Sequence, residues 1–187
     1  MSSAISFVTL AALSAVNLVL TLGVVRRVNL LTRSAAATVA AVGAQPDTPT
    51  LPAVGAEPAD FTALAFDGDH ISRGDLIGQT LVGFFATGCT PCKQLILPFM
   101  SYAGALPGGR QQTLAVIAGI DNESAKLAGL LDTVARVIVE PAGGPAAAAF
   151  GVGFFPTVCM LDDHRVSASG FDMSRLPPVQ SLAAASS

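Results

Sequence analysis

The stretch Thr80-Leu-Val-Gly-Phe-Phe-Ala-Thr-Gly-Cys-Thr-Pro-Cys-Lys93 joins two kinds of secondary structure around a pair of cysteines. Residues 80–87 are rich in β-branched and aromatic side chains, which favour a strand. Residues 93–97 favour a helix, which Pro98 interrupts. Cys89 and Cys92 therefore lie at a predicted helix N-terminus, where free N–H groups and the helix dipole stabilise a thiolate. This arrangement is typical of dithiol–disulfide exchange.

A single Cys-x-x-Cys pair has two other interpretations. It can be half of a zinc site, which needs two more thiolate or imidazole ligands. It can also be a purely structural disulfide, although so small a ring constrains little of the unfolded chain. We expect a redox-active pair with Thr90 and Pro91 between the cysteines, and neither a metal ion nor an organic cofactor. The remaining candidate ligands are isolated from one another: Cys159, His70 and His164.

Length, charge and cysteine count exclude several classes of protein. The chain has 187 residues, of which 51% are hydrophobic and 12% are charged, and its length suits one domain with appendages. The formal net charge of −3 provides no basic surface, so we expect no nucleic-acid partner. With three cysteines, two of them in one motif, the chain is not a disulfide-scaffolded secreted domain.

Residues 4–25 contain no charged side chain and are dominated by Ala, Val, Leu, Ile and Phe. About 20 such residues cross a hydrocarbon core of about 30 Å as a helix. Arg26, Arg27 and Arg33 follow this run, whereas a cleavable signal peptide carries its positive charges before the apolar segment. The pattern predicts an uncleaved transmembrane anchor and a single-pass protein of the cell membrane, with a buried core helix as the alternative.

Two arguments place the rest of the chain on opposite sides of that membrane. The arginines after the span put the following residues in the cytoplasm by the positive-inside rule. Disulfide chemistry favours the extracytoplasmic side, where disulfides persist. Both interpretations stay open at this point.

The anchor is followed by three further regions. Residues 26–58 are rich in Ala and Pro and poor in large apolar side chains, which predicts a semi-extended juxtamembrane linker. Residues 59–172 form the predicted folded domain, and residues 173–187 form a short tail in which Pro177 and Pro178 block a long helix.

Strand-like and helix-like segments alternate through the predicted domain, which indicates an α/β fold with a mixed central sheet and helices on both faces. Asp67-Gly68-Asp69 predicts a hairpin turn at the front of this domain. The predicted strands are 61–66, 70–72, 81–87, 113–120, 136–140, 157–161 and 166–170, and the predicted helices are 90–105, 123–131, 145–150 and, in the tail, a short one near 179–185.

The order of strand, Cys-x-x-Cys, helix and a late Gly153-Phe-Phe-Pro-Thr157 segment before a strand resembles the thioredoxin-like superfamily. The chain looks like the membrane-anchored TlpA/ResA/MauD-type redoxins in three features: the extra N-terminal hairpin, the anchor and the sequence of residues 81–93. The resemblance covers about residues 60–170. It implies a thioredoxin-like fold preceded by one transmembrane helix.

The resemblance also implies roles for individual residues. Cys89 would be the exposed nucleophile that attacks a target disulfide, and Cys92 the resolving thiol. Pro156 would follow a cis peptide bond, and Phe155, Pro156 and Thr157 would form the loop that pairs with an extended substrate. The implied partners are a protein disulfide or dithiol and a thiol electron donor or acceptor.

Four positions depart from that family. Gly88 replaces the tryptophan that often precedes the first cysteine, and Gly83 stands where thioredoxins keep a buried acid. Leu95 replaces a glutamate common in TlpA-type proteins, and Pro98 lies six rather than five residues after Cys92. The sequence therefore offers no obvious carboxylate to accept the Cys92 proton.

Outside the motif, Cys159 is flanked by Val158 and Met160. This context predicts a small buried hydrophobe, with a third redox thiol as the alternative. His70 and His164 lie in polar, turn-like contexts and are expected to be solvated loop residues.

Taken together, the sequence predicts a membrane-tethered thiol–disulfide oxidoreductase that exchanges disulfides with protein substrates. One alternative is a non-catalytic redoxin-fold adaptor or chaperone that assists maturation of a partner enzyme. A peroxiredoxin-like peroxidase ranks third, because Ala86 replaces the Thr or Ser usual three residues before the peroxidatic cysteine.

Overall fold

The computed structural model describes residues 51–181 of the chain. Strands and α-helices alternate between residues 80 and 162, and short 3₁₀ turns lie at Arg73–Asp75, Gly109–Gln112 and Met173–Arg175. In chain order the elements are β1 (Thr62–Leu64), β2 (His70–Ser72), β3 (Thr80–Ala86), α1 (Thr90–Ala105), β4 (Thr113–Ala118), α2 (Asn122–Leu131), β5 (Arg136–Glu140), α3 (Pro145–Ala149), β6 (Thr157–Asp162) and β7 (Arg165–Gly170).

Five of these strands form one mixed sheet in the order β5-β4-β3-β6-β7. The central strand β3 runs parallel to β4 and antiparallel to β6. Its residues are buried from Thr80 to Phe85, as expected for an apolar strand that is covered on both faces. β1 and β2 form a separate antiparallel hairpin around Asp67-Gly68-Asp69, which confirms the predicted front hairpin.

Alternation along the strands divides the core between the two faces of the sheet. Phe85 points to the face covered by α1 and α2, where it packs with Phe99. Phe84 points to the opposite face, which is covered by α3 and by residues of the front hairpin. The mixed sheet with helices on both faces confirms the α/β part of the predicted fold class.

Element boundaries differ from the predictions only at their ends. The fourth strand ends at Ala118 rather than residue 120, because Gly119 adopts a positive φ of 151° and Ile120 is exposed. The first strand is shorter than predicted and ends at Leu64. The next residue, Ala65, bridges to Ile138 of β5, while its N–H still donates to the Asp69 carbonyl at 2.7 Å. In the predicted tail, residues 179–181 are helical.

The end of the predicted linker lies against the folded domain. The Gly55 N–H donates to the Val166 carbonyl at 2.7 Å, and the Val166 N–H donates to the Ala56 carbonyl at 2.9 Å. Pro52 and Pro58 are buried. These backbone hydrogen bonds to the edge strand β7 give residues 51–58 a fixed path that composition alone does not reveal.

The predicted anchor, residues 4–25, and the linker up to residue 50 lie outside the described residues. Within residues 51–181, no helix combines the length and the apolar character needed to cross a membrane.

Candidate active site

The two cysteines lie at the N-terminus of α1 and form a disulfide, with their Cα atoms 5.2 Å apart. Cys89 is the N-cap residue, and its Sγ accepts a hydrogen bond from the Cys92 N–H at 3.2 Å. Pro91 lies in the first turn, where backbone N–H groups have no partner within the helix, so proline's lack of an N–H costs no helical hydrogen bond. Gly88 precedes the motif with a φ of 72°, a conformation that glycine adopts without strain. The helix start thus presents the Cys92 N–H to the first sulfur.

The two sulfurs differ in their access to solvent. Cys89 is half-buried, whereas Cys92 is only 1% exposed and belongs to the core beneath α1. A partner molecule therefore reaches Cys89 first. Because Cys92 is buried, its sulfur can react only with a group that is already inside the protein, such as the Cys89 sulfur.

The loop before β6 lies against the motif. Its Phe155–Pro156 peptide bond is cis, the isomer that the resemblance implied. The Phe155 carbonyl oxygen lies 3.7 Å from the Cys89 Sγ, and the Thr157 hydroxyl donates to the Phe154 carbonyl at 2.8 Å. The antiparallel pairing of β6 with β3 brings this loop, distant in sequence, to the cysteines.

An open groove of about 480 Å³ lies beside the Cys-x-x-Cys motif. Phe154 and Phe171 line it and are 43% and 41% exposed, which is unusual for such large apolar side chains. The remaining lining residues come from α1, the cis-proline loop and the end of β7: Pro91, Gln94, Leu95, Phe155, Pro156 and Asp172.

A second cavity, of about 220 Å³, lies on the other side of α1 and reaches the buried cysteine. Cys92 forms part of its wall, together with Lys93, Glu123 and Lys126. The Lys93 Nζ lies 2.9 Å from a Glu123 carboxylate oxygen. The other walls are made by the end of β3, by α1 and by α2: Ala86, Thr87, Ile96, Leu127 and Leu130.

Thr87 is held close to the motif by the start of α2. Its hydroxyl donates to the Asp121 carboxylate at 3.2 Å, and the same carboxylate caps α2 by accepting from the Ser124 N–H at 2.8 Å. The hydrogen bonds from Ser124 and from Thr87 hold the pKa of Asp121 below its ordinary value. Asp121 thus stays ionised and fixes the loop that leads into Cys89.

The chain matches no family model and no curated protein. Its structure is similar to the thioredoxin domain of a thiol-disulfide oxidoreductase from Bacteroides vulgatus, with 17% identity, a TM-score of 0.52 and coverage of 72% of this chain and 96% of that one. A DsbF homologue from Corynebacterium diphtheriae gives 17% identity, a TM-score of 0.52 and coverage of 76% and 93%. A secreted disulfide oxidoreductase from Mycobacterium tuberculosis gives 14% identity and a TM-score of 0.51, with coverage of 66% of this chain and 92% of that one.

The fold is thioredoxin-like. At these identities the similarity concerns the fold, and the chemistry has to be argued from the residues of this chain. Of the predicted loop residues, Phe155 lies against Cys89, and Pro156 lines the adjoining groove together with Pro91 of the motif. Thr157 is buried at the start of β6 on this thioredoxin-like domain.

Packing explains why the thioredoxin-like domain has glycine at position 83. A Cβ added to Gly83 would lie 2.5 Å from a ring carbon of Phe99 and 2.8 Å from a ring carbon of Phe85. The two rings meet edge to face with centroids 5.1 Å apart. The space beneath the motif is therefore filled by aromatic rings, and a carboxylate cannot occupy it.

Three residues singled out by the sequence lie away from the site. Cys159 is fully buried on the α3 face of the sheet, whereas Cys92 lies on the α1 face, and burial raises the pKa of the Cys159 thiol. These positions favour the core role for Cys159 over a third redox thiol. His70 is exposed but belongs to strand β2 rather than to a loop, and His164 lies in the β6–β7 turn, where it is half-buried rather than fully solvated.

Sequence reasoning missed the two cavities beside the motif. No sequence pattern marked Glu123 or Lys126 as site residues, because their proximity to Cys92 depends on how α2 packs beside α1. Phe154 is adjacent to the predicted loop, but Phe171 comes from the end of β7 and had no recognisable pattern. Among residues 51–181, no group of three His, Cys, Asp or Glu side chains is arranged to hold a metal ion.

Proposed function

We propose that this protein is a thiol–disulfide oxidoreductase that acts on protein substrates through Cys89 and Cys92. In the reducing direction, the Cys89 thiolate attacks a substrate disulfide, forms a mixed disulfide and releases one substrate thiolate, which takes a proton from solvent. Cys92 then attacks Cys89, closes the Cys89–Cys92 bond and releases the second substrate thiolate. Two electrons pass from the cysteine pair to the substrate, and the reverse sequence oxidises a substrate dithiol.

The main support for this proposal is that solvent reaches the Cys89 sulfur but not the Cys92 sulfur. Cys89 is half-buried at a helix N-terminus, which stabilises a thiolate, while Cys92 is enclosed directly behind it. An exposed nucleophile with an enclosed resolving thiol fits a two-step exchange. A structural disulfide gains nothing from an accessible sulfur at this position.

Two features of the loop before β6 support a polypeptide as the substrate. The Phe155 carbonyl beside Cys89 is a free acceptor for a backbone N–H of an extended chain. The adjoining groove, with Phe154 and Phe171 exposed, accepts an apolar side chain next to the reacting cysteine.

A peroxidase fits the site less well. A peroxiredoxin-like peroxidase needs an activating arginine beside the reacting thiolate. No arginine is among the described residues that line the groove or the cavity flanking the disulfide. The absence of the tryptophan at Gly88 and of acidic side chains at Gly83 and Leu95 favours a non-catalytic adaptor slightly, and this adaptor is one outcome of the redox titration described below.

We also propose that residues 4–25 tether the thioredoxin-like domain to a membrane and that the linker ends where the chain joins β7. The support is the uncharged run and the arginines that follow it. Retention of the full chain in the membrane pellet after alkaline carbonate extraction tests the tether, and its release would contradict it. Labelling of reduced Cys89 in intact cells by a membrane-impermeant maleimide then decides the side.

A redox titration of the full-length chain tests the oxidoreductase proposal. Free thiols are trapped with an alkylating mass tag across a series of redox buffers. We expect Cys89 and Cys92 to titrate together as a two-electron couple; a potential near about −270 mV indicates a reductase and one near about −120 mV an oxidant. A pair that does not titrate anywhere in that range would contradict the proposal and favour the adaptor.

A further inference from the structure

We propose that Glu123 is the proton acceptor for the resolving thiol Cys92, acting through the 220 Å³ cavity between α1 and α2. This inference rests on the proposed function, since it concerns the second step of the exchange. It assigns to α2 a role that neither the motif nor the strand before it can supply in this chain.

The need for an acceptor follows from the burial of Cys92. To attack the mixed disulfide, Cys92 has to lose its proton, and burial disfavours the charged form of a thiol. With 1% of its surface exposed, Cys92 cannot release the proton directly to bulk water. Its own N–H contacts the Cys89 sulfur, so the helix start assists Cys89 rather than Cys92.

The core beneath Cys92 contains no group that can take this proton. The strand position beneath the motif is Gly83, and the rings of Phe85 and Phe99 fill the space where its side chain would lie. Leu95, one turn along α1, is apolar and buried. A proton leaving Cys92 therefore has to pass toward α2.

The cavity on that side offers one carboxylate among its lining residues, and it belongs to Glu123. The other charged groups facing the cavity are the ammonium groups of Lys93 on α1 and Lys126 on α2, which have no lone pair to accept a proton. Thr87, which follows β3, contributes a hydroxyl that donates to Asp121, and the Asp121 carboxylate is not among the residues that line the cavity. Glu123 is thus the acceptor in this space.

The ion pair with Lys93 places the carboxylate at the mouth of the cavity. Lys93 follows Cys92 directly in α1, and its 2.9 Å contact with Glu123 ties the carboxylate to the turn that carries the resolving thiol. A cavity of about 220 Å³ has room for water molecules, each of which occupies about 30 Å³ in the liquid, and polar groups line part of its wall.

A water in the cavity takes the Cys92 proton as it passes its own proton to the Glu123 carboxylate. The Cys92 thiolate attacks the Cys89 sulfur, the Cys89–substrate bond breaks, and its electron pair leaves with the substrate thiolate. Glu123 then returns its proton to solvent, since its side chain is about half exposed.

The test separates the two steps in a stopped-flow reaction of the reduced full-length protein with 4,4′-dithiodipyridine. The first equivalent of thiopyridone reports attack by Cys89, and the second reports resolution by Cys92. In Glu123→Gln we expect an unchanged first phase and a second phase slowed on the order of tenfold at neutral pH. This slowing is smaller than the loss of a direct acid–base catalyst would cause, because Glu123 takes the proton through a water molecule. The difference should shrink as pH rises, because hydroxide then removes the proton.

Two further variants control the result. Glu123→Asp keeps a carboxylate and should recover most of the second-phase rate, whereas Glu57→Gln removes an ion-paired glutamate that does not line the cavity and should leave both phases unchanged. A second phase at the wild-type rate across the pH range would overturn the inference, as would equal slowing of both phases with an unchanged pH profile. Absence of the first phase in wild type would instead refute the proposed function, and the inference with it.

Discussion

The carbonyl oxygen of Phe155 lies 3.7 Å from the Sγ of Cys89, where the loop before β6 meets the N-terminus of α1. When the disulfide is reduced, the Cys89 thiol can donate to this oxygen. When a substrate is bound, the same oxygen can accept a backbone N–H. In the proposed exchange, one carbonyl oxygen would therefore contact both the reacting sulfur and the partner chain.

Packing against Gly83 predicts a large effect for a small substitution. In Gly83→Ala the new methyl group would lie 2.5 Å from the Phe99 ring, so we expect the free energy of unfolding to fall by about 1–3 kcal/mol. Urea unfolding measures the loss. Gly129→Ala is the matched control, since a Cβ there meets nothing within 4 Å and alanine favours the α2 helix. Equal stability of the Gly83→Ala variant and wild type would contradict the packing argument.

Glu140 is predicted to stabilise the start of α3. It is 4% exposed, and its carboxylate accepts from the N–H groups of Ala146 and Ala147 at 3.0 and 2.8 Å. Glu140→Ala leaves these buried donors unpaired, so the free energy of unfolding should fall by about 1–3 kcal/mol. Glu57→Gln, which loses only exposed ion pairs with arginine, should cost less than about 1 kcal/mol. A smaller loss at Glu140 than at Glu57 in thermal or urea unfolding would refute this role.

Cys159 is predicted to be inert in the folded protein. It is fully buried on the α3 face, and burial raises the pKa of its thiol, so the reactive thiolate is not formed at neutral pH. Iodoacetamide added to the reduced native protein should modify Cys89 and leave Cys159 free, and both should react after denaturation. Rapid modification of Cys159 in the native state, mapped by peptide mass, would restore the third-thiol hypothesis.

The acid dependence of stability should include a contribution from Asp67. The side-chain hydrogen bond from Arg110 and the backbone N–H of Asp69 hold the pKa of Asp67 below its ordinary value of 3.8. A lowered folded-state pKa stabilises the protein above the unfolded value, and the contribution disappears as pH falls through the folded value. Asp67→Asn should therefore be less stable than wild type at neutral pH, with the difference closing below about pH 4. A difference that is constant with pH would contradict this assignment.

The sequence predicted α1 with its observed ends because Cys89 and Pro91 mark its start and Pro107 follows its end. The central strand was predictable because the run ending at Ala86 is apolar on both faces. These signals are local, and each is carried by residues that are neighbours in the chain.

Features that depend on packing between elements were not predictable. The missing acid at Gly83 was visible in the sequence, but the reason for it, the ring of Phe99 in α1, depends on how a helix lies on a strand. The Lys93–Glu123 pair joins two helices and fits no spacing rule. The docking of Gly55 on β7 likewise depends on an edge strand that is distant in sequence.

The most direct test of the account is a trapping experiment with a peptide that contains one disulfide. Reduced full-length Cys92→Ser protein should accumulate a covalent adduct with one peptide chain, mapped to Cys89 by mass spectrometry. Wild type should release both peptide thiols and become oxidised, and Cys89→Ser should do neither. Reduction of the peptide by Cys89→Ser at the wild-type rate, or an adduct mapped to Cys159, would contradict the proposal that Cys89 is the nucleophile and Cys92 the resolving thiol.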